Sequence, residues 1–259
     1  MDNDDAQVGR ILSRREVLAL FGGSSVAFLA ACAPGGALAS PSPTSTAQRT
    51  SAATTTAAGT APAAATALPS CIVRPALSEG PFFVDEKLDR SDIRSDPATG
   101  VVRPGAILNL NFLVSRVTGG ACTALSGAVV DLWHCDALGV YSDVGSASGQ
   151  KFLRGFQTTD ATGSAKFMTI YPGWYQGRAV HLHFKIRPTS SSEFTSQLFF
   201  DDAVSAQVFA LAPYSQKGTQ GMTRNTSDSI FQQAAGKLSL NVTKSGDVYS
   251  ATFDIGLAS

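Results

Sequence analysis

The sequence has little histidine, no surplus of either charge and no apolar run long enough to span a membrane. Its 20 lysines and arginines balance 20 aspartates and glutamates over 259 residues, so charge gives no case for a nucleic-acid partner. The apolar run at residues 17–31 is shorter than the roughly 20 residues that a spanning helix needs. Long amphipathic helical patterns are also missing, which argues against an all-helical fold. With three histidines in the whole chain, any two that lie together need an explanation.

The first 32 residues have the pattern of an export signal rather than of a fold element. Arg14 and Arg15 precede the apolar run at residues 17–31, as in a twin-arginine signal peptide. The motif LAAC at residues 29–32 resembles a bacterial lipobox, in which Cys32 is lipidated and tethers the protein to a membrane. A plain signal peptide with a chance cysteine is the alternative. Both versions predict an exported protein, extracellular or in the cell envelope, and the lipobox adds an anchor at the outer face of the membrane.

Residues 33–70 predict a flexible tether. They consist mainly of alanine, threonine, serine, proline and glycine, with one charge (Arg49) and no aromatic residue. Such a composition cannot bury enough apolar area to offset the entropy of ordering the chain. The folded domain is therefore expected at residues 71–259.

Three cysteines remain after Cys32, and their spacing matches no zinc-binding template. An exported protein permits a disulfide, which leaves one thiol over. Cys71 begins the folded domain and would otherwise fray, so we expect it to pair with either Cys122 or Cys135.

Eight short apolar or alternating segments separated by turn residues predict an all-β fold. The segments are 107–115, 127–135, 154–160, 165–171, 179–186, 195–200, 238–243 and 248–255. Many short strands without a long helix indicate a sandwich or a barrel. Short helical turns are expected near residues 201–211 and 227–234. The chain after residue 214 is expected to supply closing strands, and we assign no chemistry to it.

Alternation within these strands predicts which side chains face the core. In ILNLNFLV, one face carries Leu108, Leu110, Phe112 and Val114. In VHLHFKI, one face carries Val180, Leu182, Phe184 and Ile186. The opposite face of this second strand carries His181, His183 and Lys185, which we expect to meet polar surroundings.

Two histidines at positions i and i+2 of a strand are a common pair of metal ligands. An exposed strand face with two solvated histidines is the alternative. His134 is the one further histidine, and a zinc or copper site would have to recruit it. Since His134 shares a face with Val130 and Leu132, we interpret it as a structural or supporting group.

Tyrosine can complete a site for ferric iron. A phenolate is a hard anionic oxygen, and a trivalent cation displaces its proton at neutral pH although the free pKa is about 10. Tyr141 and Tyr175 both lie in turn-rich segments, DALGVYSD and PGWYQGR. Two phenolates and one hydroxide would balance the charge of Fe(III), with two neutral imidazoles completing five ligands.

Six stretches make the sequence similar to the intradiol ring-cleavage dioxygenases. They are SEGPFF (78–83), RSDIR (90–94), GAVVDLWHCDALGVYSD (127–143), TTDATGSAKFMTIYPGWY (158–175), GRAVHLHF (177–184) and SQLFFDD (196–202). This family uses non-haem Fe(III) and O₂ to open catechol rings between the two hydroxyls, which gives muconate-type diacids. The resemblance, nearest to the exported and tethered branch, implies a prealbumin-like antiparallel β-sandwich. It leaves open the oligomeric state and the choice among catechol, hydroxyquinol, protocatechuate and plant-derived catechols.

The resemblance also implies roles for individual residues. The implied ligands of Fe(III) are Tyr141, Tyr175, His181 and His183. Tyr175 matches the tyrosinate that is released when substrate arrives and takes a proton. Arg178 matches an arginine that steadies negative charge on the bound ring, and Gln197 matches a glutamine beside the substrate pocket.

The segment SEGPFF is expected to line or cover that pocket, with Phe82 or Phe83 stacked on an aromatic substrate or, alternatively, buried as plain core. Two rival functions stay open at this point. One is a non-enzymatic, prealbumin-like β-sandwich that acts as a binding module. The other is a zinc or copper site built on His134, His181 and His183.

Overall fold

The computed structural model describes residues 72–189 and 193–258. The predicted signal peptide (1–32), the predicted tether (33–70) and Cys71 lie outside these residues. The described strands are β1 (Ile107–Thr118), β2 (Ala121–Ala124), β3 (Val129–Trp133), β4 (Arg154–Thr158), β5 (Ser164–Ile170), β6 (His181–Arg187), β7 (Phe194–Phe199), β8 (Thr243–Ser245) and β9 (Val248–Ala258). The helices are α1 (Asp202–Phe209) and α2 (Ser229–Ala234), with 3-10 turns at Gly145–Ala147, Tyr214–Gln216 and Asn225–Ser227. No helix in this part of the chain has the length and apolar character needed to cross a membrane.

The strands form two sheets, which confirms the predicted β-sandwich. One sheet has the order β2-β1-β9-β8, and β5 also pairs with β1. Its pairs are antiparallel except β1 with β9, which run parallel. The second sheet has the order β4-β3-β6-β7 and is antiparallel throughout.

Inward-facing side chains of the two sheets form one core. The predicted apolar face of β1 is fully buried, and so is the apolar face of β6. Rings from the two sheets meet directly: the Phe184 centroid lies 5.2 Å from that of Phe112 and 5.6 Å from that of Phe253. The period-two alternation therefore fixed the inner face of each sheet correctly.

One predicted strand is wrong, and two short strands were not predicted. Residues 238–242 form no strand, because this stretch runs past β7 and pairs with it only around Phe199. The short edge strands β2 and β8 were not predicted, since neither has an apolar repeat. The face of β6 that carries the histidines meets polar groups, as predicted, since the Tyr175 hydroxyl lies 3.0 Å from His181 Nε2, but this face is closed to water: His181 and His183 are each 1% exposed.

A chain segment before the first strand explains this burial. Residues 78–90, which we call the cover segment, cross the outer face of the second sheet. Backbone hydrogen bonds join Leu88 and Arg90 to Phe156 of β4. Near its start, Phe83 packs on Trp133 of β3 with ring centroids 4.8 Å apart. Both faces of this sheet are therefore covered.

Of the two cysteines in the described residues, one forms a disulfide and the other is a free thiol. Cys122 is disulfide-bonded, while Cys135 is a free, buried thiol. The alternative that paired Cys71 with Cys135 is therefore wrong, because Cys135 makes no disulfide. Pairing of Cys71 with Cys122 stays a prediction, since Cys71 lies outside the described residues.

Candidate metal centre and active site

The structure brings the four predicted ligand side chains to one place. Tyr141 lies in the loop after β3, Tyr175 in the loop after β5, and both histidines on β6. The Tyr175 hydroxyl is 3.0 Å from His181 Nε2, which is 3.1 Å from His183 Nε2. The Tyr141 ring centroid lies 5.7 Å from that of Tyr175 and 6.1 Å from that of His183. Two phenol oxygens and two imidazole nitrogens thus converge from three chain segments.

Close packing of the two tyrosine loops depends on glycine. A Cβ on Gly139 would lie 2.3 Å from the Trp174 carbonyl oxygen, and one on Gly173 would lie 2.5 Å from the Asp136 carbonyl oxygen. Gly173 N donates to that same Asp136 oxygen at 3.1 Å. Any larger residue at either position would separate the backbones that present Tyr141 and Tyr175.

The four side chains Tyr141, Tyr175, His181 and His183 form a cluster. Hydrogen bonding within this cluster is incomplete, and this fits a cation-binding site. His181 Nδ1 donates to the Ala179 carbonyl oxygen at 2.6 Å, so its Nε2 has a lone pair. Both His183 Nε2 and the Tyr175 hydroxyl face that lone pair, which accepts one hydrogen bond. The Tyr141 hydroxyl and His183 Nδ1 are buried without a partner among the described residues. Unpaired buried polar atoms are costly, whereas a cation shared by these donors would satisfy the convergent ones.

Burial keeps both imidazoles neutral. It lowers the pKa of His181 to about 3, with the Arg178 charge acting in the same direction. Burial and then the neighbouring His181 lower the pKa of His183 well below its ordinary value. Both rings are thus in the deprotonated form that metal coordination requires.

Burial keeps the two phenols neutral as well, because it raises their pKa values. Burial, followed by the neighbouring Tyr175, raises the pKa of Tyr141 well above its ordinary value. Burial raises the pKa of Tyr175 to about 12, although the Arg178 charge opposes the rise. Neither phenol ionises near neutral pH on its own account. A strongly charged cation is the group that would remove both protons.

Arg178 and Gln197 lie beside the cluster and bind each other. Arg178 Nη2 donates to Gln197 Oε1 at 2.6 Å, and Gln197 Nε2 donates to the Ser78 carbonyl oxygen at 2.8 Å. Arg178 Nε donates to Asp228 Oδ2 at 2.9 Å. Asp228 belongs to the part of the chain after residue 214, and this contact brings it beside a predicted site residue.

Arg154 is a second residue that sequence reasoning missed. This buried guanidinium donates from Nε to Ser142 Oγ at 2.9 Å, from Nη2 to the Ser142 carbonyl at 2.6 Å and from Nη1 to the Phe82 carbonyl at 2.6 Å. Ser142 follows Tyr141 in the chain, and Phe82 stacks on the Tyr141 ring with centroids 4.3 Å apart. Arg154 therefore fixes the backbone on both sides of the Tyr141 ring.

The cover segment closes the site from outside. Gly80 has φ +73°, and a Cβ there would lie 3.2 Å from His183 Cε1. Glu79 pairs with Lys185 at 2.5 Å, and the Lys185 ammonium sits 4.1 Å from the Phe83 centroid. Phe82 reaches the cluster and Phe83 packs on Trp133, so the two phenylalanines have different surroundings.

Both ring nitrogens of His134 have hydrogen-bond partners outside the cluster. Its Nδ1 is 2.8 Å from the Cys135 carbonyl oxygen and its Nε2 is 2.6 Å from Thr169 Oγ1. Burial lowers its pKa to about 4. With both ring nitrogens occupied, His134 is a structural residue, and a zinc or copper site that recruits it is not supported. No group of three His, Cys, Asp or Glu side chains arranged for a metal occurs in residues 72–189 and 193–258.

Comparison with known proteins identifies the family to which this chain is similar. The family model described as "Dioxygenase" matches residues 78–255, well over half of the chain. Among curated proteins, catechol 1,2-dioxygenase 1 of Acinetobacter lwoffii is 27% identical over 148 residues, and chlorocatechol 1,2-dioxygenase of Pseudomonas putida is 30% identical over 95. These matches span 48% and 30% of this chain but only 45% and 36% of the two enzymes.

Solved structures match over more of their length. An intradiol ring-cleavage dioxygenase from Tetranychus urticae is 30% identical with a TM-score of 0.63, and the match covers 73% of this chain and 94% of that one. The dioxygenase domain of a carbohydrate-binding fusion protein from Streptomyces sp. SirexAA-E is 28% identical with a TM-score of 0.54, covering 72% and 99%. Together with the family model, which includes the cover segment and both sheets, these matches show that the chain belongs to the intradiol ring-cleavage dioxygenase family.

Proposed function

We propose that this protein is a non-haem Fe(III) dioxygenase that opens catechol-type rings between the two hydroxyls. Its substrates would be an aromatic diol and O₂, and its products muconate-type diacids. The observation that supports this most is the buried meeting point of two phenol oxygens and two imidazole nitrogens, with no acidic residue among them. Such a donor set suits a trivalent cation, since two phenolates supply charge and the imidazoles stay neutral.

The residues that would hold iron are Tyr141, Tyr175, His181 and His183. When bound, Fe(III) would act as the Lewis acid that draws electron density from a chelated diol. The protein side of the reaction is the transfer of protons and the steadying of charge. The first role would belong to Tyr175 and the second to Arg178.

Tyr175 is the better candidate for the proton acceptor. It is half-buried, whereas Tyr141 is 5% exposed and enclosed by Phe82. An arriving diol would give one of its two hydroxyl protons to the Tyr175 oxygen.

Arg178 would steady the negative charge that develops on the ring. Its guanidinium stays charged in any pocket, and its side chain is 19% exposed beside the cluster. Removing one such donor typically costs about 10²–10³-fold in rate. We therefore expect Arg178→Ala to lose activity in that range while iron content is retained.

We further propose that the domain acts outside the cytoplasm on a tether. This rests on the Arg14–Arg15 pair, the short apolar run and the composition of residues 33–70. Export in the folded state suits a protein that loads its metal before it leaves the cell.

The test is a visible spectrum of purified protein before and after catechol is added, with ring opening followed by the absorbance of the diacid. Tyrosinate-to-iron charge transfer predicts a burgundy protein whose spectrum shifts on adding catechol. Protocatechuate and hydroxyquinol are then compared as substrates. A colourless protein without tightly bound metal would support the binding-module alternative instead.

Tyr141→Phe and Tyr249→Phe form a matched pair for this test. Both hydroxyls are buried and unpartnered in the described residues. Tyr249 belongs to β9, and its ring packs against Tyr171 with centroids 5.9 Å apart. Tyr141→Phe should lose colour and activity, whereas Tyr249→Phe should keep both. Equal colour in the two variants would contradict the proposed ligand set.

A further inference from the structure

Asp228 is a buried carboxylate, 2% exposed, that accepts four hydrogen bonds. Oδ1 accepts from the backbone N–H groups of Ile230 at 2.8 Å and Phe231 at 3.1 Å. Oδ2 accepts from Arg178 Nε at 2.9 Å and from the Ala179 backbone N–H at 2.7 Å. One oxygen therefore caps α2, while the other holds the loop that leads into β6.

Helix capping alone does not account for this arrangement. Asp201 caps the longer helix α1 in the same way, accepting from Ala203 N at 2.7 Å and Val204 N at 3.2 Å. Its carboxylate makes no contact with an arginine in the described residues. The two bonds to Oδ2 of Asp228 are thus additional to its capping role.

These bonds determine the orientation of Arg178. Its Nε is fixed by Asp228, and its Nη2 is fixed by Gln197 at 2.6 Å. Within the described residues Nη1 forms no hydrogen bond, so one end of the planar guanidinium is left for a ligand. A guanidinium with two anchored nitrogens loses less entropy when the third meets an anion.

The charge of this guanidinium acts on the cluster. It favours the phenolate forms of Tyr141 and Tyr175 and disfavours protonation of His181 and His183. Arg178 is therefore close enough for a change in its position to alter the field at the reacting ring.

We propose that Asp228 is the positioning residue for Arg178: its Oδ2 holds the guanidinium so that Nη1 faces the developing negative charge of the substrate. This inference rests on the proposed dioxygenase function. It assigns a role in the reaction to the C-terminal part of the chain, which supplies none of the four proposed iron ligands. Asp228 would not touch substrate or iron and would act through Arg178.

The experiment compares Asp228→Asn with Asp201→Asn in the iron-loaded enzyme. Each variant weakens one helix cap and removes one charge, but only Asp228→Asn loosens Arg178. A hydrogen bond to a charged group contributes enough that we expect kcat to fall about 10- to 100-fold in Asp228→Asn, with KM changed less than about threefold. Asp201→Asn should keep the wild-type kcat. Iron content and the visible band should be equal in all three proteins, because no ligand is altered.

A double-mutant cycle identifies the route of the effect. In an Arg178→Ala background, Asp228→Asn should cost nothing further, since its target is gone. If Asp228→Asn does not fold, Asp228→Glu replaces it: the charge is kept, but the longer side chain displaces the guanidinium, so kcat should still fall while Asp201→Glu stays active.

Two results overturn the inference: kcat equal in the Asp228 and Asp201 variants, or additive losses in the cycle. A wild-type protein that neither binds iron nor cleaves catechol would instead overturn the proposed function itself. Wild-type turnover with no difference between the matched variants would refute the positioning role alone.

Discussion

Gly80→Ala tests whether the cover segment sets the position of His183. Gly80 has φ +73° and approaches the imidazole so closely that an added Cβ would lie 3.2 Å from Cε1 and 3.9 Å from both ring nitrogens. His183 has little room to retreat, because it is 1% exposed and stacked on Trp133 at 5.2 Å and 11°. The methyl group must therefore push the ring by a few tenths of an ångström.

The expected size follows from two separate costs. A non-glycine residue in the left-handed region costs about 1–2 kcal/mol, and the stiffer unfolded chain returns about 0.4–1 kcal/mol. Overpacking a buried ring adds about 1–3 kcal/mol. We expect Gly80→Ala to lower the free energy of unfolding by about 2–4 kcal/mol. A displacement of tenths of an ångström is comparable with the tolerance of about 0.2 Å on metal–ligand distances, so iron binding should weaken about tenfold or more.

Gly100→Ala is the matched control, because Gly100 has φ +71° but no atom within 4 Å of an added Cβ. It should lose about 1 kcal/mol and bind iron normally. Urea unfolding gives the stabilities, and titration with a competing chelator gives the iron affinities. Equal iron affinity in the two variants would refute the idea that Gly80 sets the position of His183.

Three further predictions address other parts of the molecule. Since burial lowers the pKa of His134 to about 4, the unfolded chain binds the extra proton below its ordinary pKa of about 6.5, and stability falls as the pH drops. From pH 7.5 to pH 5 this residue should account for about 2 kcal/mol in the metal-free protein, a loss that urea unfolding should show reduced in His134→Gln. Arg154→Lys keeps the charge but loses the three-way contact to Ser142 and Phe82, so unfolding should become easier by about 1–3 kcal/mol; an unchanged urea midpoint would contradict its anchoring role. Cys32→Ala should move the protein from the membrane fraction to the soluble exported fraction, and an unaltered distribution would argue against lipidation.

The sandwich was predictable because its strands obey a local rule. Alternation assigns Leu108 and Phe112 to the core without knowledge of any partner strand, and both are fully buried. The same rule placed His181 and His183 together on the other face of β6, but it could not predict that this face is buried. Alternation says which side chains share a face, but what covers that face is decided by residues about a hundred positions away in the chain. Here Glu79 and Phe83 of the cover segment contact Lys185, and Gly80 lies against His183.

The same distinction explains which site residues the sequence revealed. His181 and His183 are recognisable because side chains at positions i and i+2 of a strand lie on the same face, so their spacing alone predicts that they are neighbours. Asp228 carries no such signal: it resembles an ordinary helix cap, and its second role exists only because the chain returns to within 2.9 Å of Arg178, fifty residues away in sequence. Arg154 also has no recognisable signal in the sequence, since an arginine at the start of a strand is commonly exposed. Here it is 2% exposed and donates to the carbonyl of Phe82, 72 residues earlier in the chain.

A functional consequence follows from where these distant contacts converge. β6 carries the two imidazoles and, on the same face, Lys185, which binds the cover segment through Glu79. Its neighbour β7 carries Gln197, which holds Arg178 on one side and the Ser78 carbonyl on the other. Movement of the cover segment at Ser78 or Glu79 would therefore be transmitted to β6, which bears two of the proposed ligands, and through Gln197 of β7 to Arg178. Access to the cluster and the position of Arg178 are in this way linked through one pair of hydrogen-bonded strands, so a change that loosens the cover segment should alter turnover as well as substrate binding.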